Sequence, residues 1–500
     1  MLTRLKVSGF KNLVDVDVHF GPFTCIAGVN GIGKSNLFDA IQFLSATANA
    51  SLFDAASSVR NDEKRNSDIK NLFSKNENEF IDKMIFEAEM IIPQKAFDDL
   101  GQEATASITF LKYTLIIGYR LPDPEKNLGP LEILKEELVH IKKGEAHKHL
   151  LFPHKPSAWR NSVVIGKRHV SHFISTEDDG PNRKIKLHQD GGSSGRPRSL
   201  SATNLPRTVL SATDASESPT ALVVRREMQS WRLLQLEPSA LRKPDDFHTP
   251  NQYQLGSDGS HLPATLYHLA RSFQRGSVIL RPSPGQIYSQ IANRLSVLLD
   301  DVGTVQVDRD EKRELYTLQV TDRTGTTHPA RALSDGTLRF LALAVLELEP
   351  NSQGLLCFEE PENGIHPARI PAMLRLLQDI ATDPNESIGL DNPLRQVIIN
   401  THSPAVVAQV PDDSLLVAEN REIIENGRRF KAVRFSPLPD TWRQKHPDMQ
   451  HNVARGKLAW YLNPVDRSRQ QPYSPQDKPQ RRVVDREDLQ LMIPGFGDSQ

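Results

Sequence analysis

The stretch FTCIAGVNGIGKSNLFDAIQFL, residues 23–44, decides the fold. It begins as a continuous apolar run suited to a central strand, passes through three glycines, and continues with apolar residues at helical spacing. Strand, glycine-rich loop and helix are the context in which GxxxxGK[ST] marks a phosphate-binding loop. Gly28, Gly31 and Gly33 let the backbone turn tightly enough for its N–H groups to face phosphate oxygens, and the following helix adds its N-terminal dipole. Lys34 is expected on the β- and γ-phosphates and Ser35 on Mg²⁺, with Asn30 and Asn36 completing the loop. Upstream, LTRLKVSGF and LVDVDVHF alternate apolar with polar residues, which is strand periodicity.

A second segment supplies the acid that such a loop needs. Residues 355–367, LLCFEEPENGIHP, run through four apolar residues and then place Glu359 beside Glu360. Adjacent carboxylates at the end of a buried strand repel unless a cation sits near them. Glu359 is expected to hold the metal and Glu360 to polarise the attacking water. The usual residue at the first of these positions is aspartate, so Glu359 reaches with a longer arm. In ALSDGTLRFLALAVLELEP, residues 332–350, Ser334 and Gly336 open a helix of three turns or more and make an anion site at its start. RQVIINTHSP, residues 395–404, is another apolar strand, and the sequence order makes His402 at its end a γ-phosphate sensor.

Together, the phosphate loop, LSDGT, EEPENGIHP and THSP resemble the ABC-type ATPase head of RecF-like, SMC-like and OLD-like proteins, and more closely the AAA_21 and AAA_15 ATPases. The resemblance covers roughly residues 1–50 and 245–420. It implies an α/β P-loop NTPase head that uses ATP and Mg²⁺ and dimerises head to tail. Ser334 and Gly336 of one subunit would then contact the γ-phosphate held by the other. Glu360 would be the catalytic base and His402 the switch histidine, with Asn363 and Gly364 in the loop crossing the dimer interface. Lys11 and Asn12, in GFKNL, fall where related heads reach the nucleotide. The signature departs from the transporter form at Asp335 and Thr337, where glycine and glutamine are commoner. For the glutamine that joins the two lobes, Gln94 is a candidate, while Gln42 lies too near the phosphate loop.

The rest of the chain distinguishes among proteins with such heads. SMC-like heads separate their nucleotide motifs with heptad helices, whereas residues 80–140 here contain alternating, β-rich text such as MIFEAEMII and ASITFLKYTLIIGYRL. The expected organisation is an N-terminal head part over 1–95, a β-rich and basic insertion over 96–244, a C-terminal head part over 245–435, and a partly disordered extension over 436–500. Within 141–210 stand thirteen Lys or Arg against five Asp or Glu, with six histidines. That stretch suits a nucleic-acid backbone through Lys142, Lys143, Lys148, Lys167, Arg168, Arg183, Lys184 and Lys186, or equally a solvated loop or docking surface. His147, His149 and His154 have metal-like spacing without a supporting cysteine. Cys25 and Cys357, the two cysteines, lie in apolar runs and are expected as inert core thiols of a reducing compartment. No run approaches a membrane span, and a cytoplasmic protein is expected. After His402 no Asp-x-Asp pair of a TOPRIM nuclease follows, so a separate effector, a nuclease or toxin, is expected to deliver the output. Stand-alone heads of this kind resemble ATPase subunits of bacterial antiphage systems, such as the Septu type. A RecF-type DNA repair ATPase and a nucleotide-dependent scaffold with little turnover are the alternatives.

Overall fold

A computed structural model of the chain describes residues 1–59, 69–76, 79–121, 129–166, 172–178, 180–190, 195–247, 254–272, 283–299, 301–349, 353–425, 428–445 and 452–453. Lys167 and Arg168 of the basic stretch and nearly all of the expected C-terminal tail lie outside these residues.

Two sheets share the first thirty residues. Strands β1 (Leu2–Ser8) and β2 (Val16–His19) pair antiparallel, and β3 (Phe23–Ala27), buried at every position, leads through the glycine loop into helix α1 (Lys34–Thr47). Next come β4 (Lys83–Ile91), β5 (Phe110–Tyr119), β6 (Leu131–His140), β7 (His172–Glu177), β8 (Lys184–Leu187) and β9 (Arg198–Ser201). These join β1 and β2 in one antiparallel sheet ordered β9–β8–β7–β6–β5–β4–β1–β2. The sheet thus crosses the boundary expected at residue 95: the β-rich insertion continues the sheet of the N-terminal strands. Its inner face is the apolar set of each alternating strand, and it closes over α1 through Phe10, Phe43 and Phe86, whose rings lie 5.4 to 5.9 Å apart. Each of these rings is fully buried, which contributes about 1.5–3 kcal/mol per side chain.

Helix α2 (Pro219–Gln229) and strand β10 (Arg232–Leu234) follow, both inside the stretch expected to be insertion. Yet β10 pairs in parallel with the acidic strand and belongs to the nucleotide sheet. A small antiparallel sheet built on β11 (Val302–Asp310) and β12 (Leu315–Asp322) comes next, flanked by α3 (Leu262–Ser272) and α4 (Pro284–Ser296). The chain then enters α5 (Asp335–Leu348), β13 (Gly354–Glu359), α6 (Ile370–Ile380), β14 (Arg395–Thr401), β15 (Leu415–Glu425) and β16 (Arg428–Pro437).

The second sheet runs β10–β13–β14–β3–β15–β16. Its first five strands are parallel and β16 is antiparallel at the edge. Parallel strands covered on both faces are largely apolar, which is why β3 and β13 read as near-continuous hydrophobic runs and β14 carries Val397, Ile398 and Ile399 at its centre. The thiols of Cys25 and Cys357 lie inside two of them, buried and unpaired. Because the strands are parallel, their carboxyl ends emerge on one edge, where ligands bind in open α/β sheets. That edge gathers Gly28 from β3, Gln235 after β10, Glu359 and Glu360 from β13, and His402 after β14.

Candidate functional site

A cleft of about 490 Å³ opens along this edge, lined by Asn30, Gly31, Gly33, Lys34, Ser35 and Asn36 on one side and by Glu359, Glu360 and Asn363 on another. Its volume falls in the range of small-molecule sites. The phosphate loop is held open by its glycines. Gly33 has φ 105°, and a Cβ there would stand 2.2 Å from the Asn12 amide nitrogen. Asn12 braces the loop from outside: its Nδ2 donates to the Ile32 carbonyl at 3.0 Å, and its Oδ1 accepts from Asn36 Nδ2 at 2.7 Å. Lys34 Nζ donates to the carbonyls of Gly28 (2.6 Å) and Val29 (3.0 Å). Burial lowers its pKa, while Glu360, Glu362 and Glu359 work in the opposite direction. Lys11 does not line the cleft: its ammonium lies 2.7 Å from Asp39, buried on α1.

The acids divide by partner. Glu359 Oε1 is 3.5 Å from Asn400 Nδ2, which is also 3.5 Å from Ser35 Oγ, and Glu359 Oε2 accepts from Gln235 Nε2 at 3.3 Å. A hydroxyl and a carboxylate gathered around one amide are the oxygen donors that a hard dication takes, so these residues fit Mg²⁺. Glu360 stands in left-handed backbone, φ 45°, a conformation costing a β-carbon-bearing residue about 1–2 kcal/mol. It is secured there by its own N–H, which donates to the Asn400 carbonyl (3.1 Å) and side-chain oxygen (3.0 Å). Its carboxylate meets His402 Nδ1 at 2.7 Å and Asn363 Nδ2 at 2.9 Å. Burial alone would raise the Glu360 pKa, but those hydrogen bonds, with the charges of His402 and Lys34, hold it below the ordinary glutamate value. An ionised, oriented carboxylate facing a phosphate loop can accept a proton from water.

Ser334 caps α5, accepting the Thr337 N–H at 3.3 Å, and Gly336 lies in its first turn. Neither lines the cleft of its own chain. Gly336 is in close contact with the loop after β13, since a Cβ would come within 2.4 Å of the Gly364 carbonyl. Asp335, where transporters carry glycine, pairs with Arg242.

Gln235, Asn400 and Arg339 line the cleft and had no role assigned from sequence. Gln235 donates to Glu359 inside the cleft, whereas Gln94, the candidate from sequence for the lobe-joining glutamine, is exposed in a loop after β4, its carbonyl bonded to Ala106 N–H. The signal was present in WRLLQ, a short apolar strand ending in glutamine. Asn400 precedes Thr401 and His402 and ties Ser35, Glu359 and Glu360 together. Arg339 on α5 donates Nε to the Leu236 carbonyl (2.9 Å) and a guanidinium nitrogen to the Asn363 carbonyl, linking the Ser334 helix, the Gln235 segment and the Glu360 loop.

The basic stretch is partly neutralised within the fold. Lys186 pairs with Glu177 and Arg183 with Asp178, while Lys142, Lys143, Lys148 and Lys184 are exposed. His149 bonds Glu89 at 2.7 Å, His154 bonds the Phe152 carbonyl at 2.7 Å, and His147 is exposed.

The parallel sheet, its glycine loop and the paired acids at one edge are those of a P-loop ATPase. The chain belongs to the family described as "AAA domain, putative AbiEii toxin, Type IV TA system", whose model matches residues 138–408. A second model, "AAA ATPase domain", matches residues 1–179. Among curated proteins, the DNA replication and repair protein RecF of Phocaeicola vulgatus is 41% identical over 46 residues, which is 9% of this chain and 12% of that protein. Similar solved structures include an Smc head bound to the C-winged helix domain of ScpA, 13% identical with TM-score 0.42, covering 86% of this chain and 97% of that one. The SMC head domain from Thermotoga maritima is 13% identical with TM-score 0.34, covering 87% of this chain and 98% of that one. No helix among the described residues is long and apolar enough to cross a membrane.

Proposed function

We propose that this ATPase hydrolyses ATP with Mg²⁺, closes as a head-to-tail dimer when ATP is bound, and through that closure controls a separate effector, a nuclease or toxin, in cytoplasmic antiphage defence. The observation that carries the chemistry is Glu360, ionised, strained and held by His402 and Asn363 at the edge of the phosphate-loop cleft. Lys34 and the loop N–H groups hold the phosphates; Ser35 and Glu359 would hold Mg²⁺, which would offset charge developing on the phosphate oxygens. Glu360 takes a proton from the water as its oxygen bonds to the γ-phosphorus and the bond to the ADP oxygen breaks. The Ser334 cap and Gly336, exposed to no phosphate of their own cleft, are the anion site offered to a second head. The family description, which names a putative toxin of a type IV toxin–antitoxin system, supports the defence reading. The RecF match supports a second one, a DNA repair ATPase.

Steady-state hydrolysis by the wild type and by Glu360→Gln, with and without double-stranded DNA, tests this. Loss of the base should lower kcat by about 10²–10⁴-fold while ATP still binds, and the variant should accumulate as closed dimer. Hydrolysis by Glu360→Gln at the wild-type rate would remove Glu360 from the reaction. Stimulation by DNA would favour the repair reading over an effector protein.

A further inference from the structure

Glu362 has no part in the mechanism above, yet it is the most buried acid of the 359–366 stretch, retaining 6% exposure. Its carboxyl receives the hydroxyl of Thr401, which is wholly buried at the end of β14. The same Thr401 Oγ1 accepts the backbone N–H of Ser403 at 2.9 Å. His402 is the residue between these two, and its Nδ1 reaches Glu360 Oε1 at 2.7 Å. One hydroxyl therefore closes the turn that carries the imidazole. Because a hydroxyl has a single proton, donating it to Glu362 leaves the oxygen lone pairs directed at Ser403 N–H. Without the carboxyl the hydroxyl is free to rotate toward another acceptor, and the turn loses the contact that sets its angle.

No cation forms an ion pair with Glu362 among the described residues. The ionisable groups around it are Glu360, His402, Lys34 on α1 and the Cys25 thiol on β3. Burial, and after it the negative charge of Glu360, raises its pKa, against the Thr401 bond. A neutral carboxyl still offers Thr401 a carbonyl oxygen, and so does glutamine.

We propose that Glu362 is a positioning residue for the hydrolytic reaction: through Thr401 it sets the angle of His402 and, through His402, that of Glu360. The inference rests on Glu360 as the base. Two pairs of variants test it on the full chain. In the nucleotide-free protein, the imidazole nitrogen resonances of His402, assigned with a His402→Gln control, report its tautomer and its bond to Glu360. Glu362→Ala should move them and lower kcat on the order of 10²-fold, the cost of a small misplacement, with KM for ATP within about threefold. Glu362→Gln should restore both. Thr401→Val should reproduce the alanine phenotype and Thr401→Ser should not, so the idea stays testable even where Glu362→Ala folds poorly. His402 resonances unmoved in Thr401→Val, or a glutamine variant as impaired as alanine, would overturn it. If Glu360→Gln hydrolyses normally, the base assignment fails by itself; the His402 resonances still report on the Glu362 clasp.

Discussion

Glu136 allows the coupling between the antiparallel sheet and the nucleotide core to be weighed. It is wholly buried on β6 and takes three donors: the N–H groups of Val209 (2.8 Å) and Leu210 (2.9 Å) and the Tyr113 hydroxyl (3.1 Å). The segment that supplies those N–H groups also grips the phosphate-loop helix, because Thr208 Oγ1 donates to the Thr47 carbonyl at its end (2.8 Å). Burial pushes the Glu136 carboxyl from 4.5 up to about 7, against the three hydrogen bonds, which favour the ionised form. The folded protein therefore keeps this proton longer than the unfolded chain does. The group's stabilising contribution is fully present below pH 4.5 and is lost as pH rises through about 7. At about 1.4 kcal/mol per pH unit, the loss across that window is about 3 kcal/mol. Glu136→Gln abolishes the titration and keeps one good acceptor, leaving one buried N–H unmet at a cost of about 1–3 kcal/mol. Urea unfolding followed by circular dichroism, with exchange of the Leu210 amide as a local probe, should find the variant less stable than wild type at pH 5. By pH 8 the difference should shrink or reverse, moving by about 3 kcal/mol. An identical difference at the two pH values would refute the reasoning.

Ser334→Arg should leave ATP affinity within about threefold, since Ser334 is outside its own cleft, and should abolish ATP-dependent dimers in light scattering; normal dimers would remove the trans role. Gly33→Ala places a Cβ against the Asn12 amide at a φ that favours glycine, and it should weaken ATP binding on the order of 10-fold or more by calorimetry; unchanged affinity would show that the loop has slack. Lys184→Glu with Lys186→Glu should reduce DNA binding, and the reduction should vanish at high salt, only if the basic stretch tracks phosphates; Lys186 is already paired with Glu177, so a change under about threefold is expected in filter binding.

Local chemistry set those parts of this protein that are legible before any folding. The phosphate loop was readable because only glycine tolerates its backbone and only a strand and a helix can flank it. The buried strands β3, β13 and β14 were readable because a sheet covered on both faces demands apolar stretches such as that of Val397, Ile398 and Ile399. Glu359, Glu360 and His402 stood out because polar residues at the ends of such strands need a reason to be there. The fold decided what depends on pairing between distant segments. Strands β5 to β9 join β1 and β4 in one sheet, so the expected boundary at residue 95 has no counterpart in backbone pairing, which is read from register and not from composition. Strand β10 lies against β13 across more than a hundred residues of chain, and that register alone puts Gln235, and not Gln94, beside Glu359. Asn400, Arg339 and Glu362 acquire their places in the same way. Each acts through partners far away in sequence, and a hydrogen bond between such residues leaves no periodicity in either segment. Only the closed fold, which brings the strand ends to one edge, makes them neighbours.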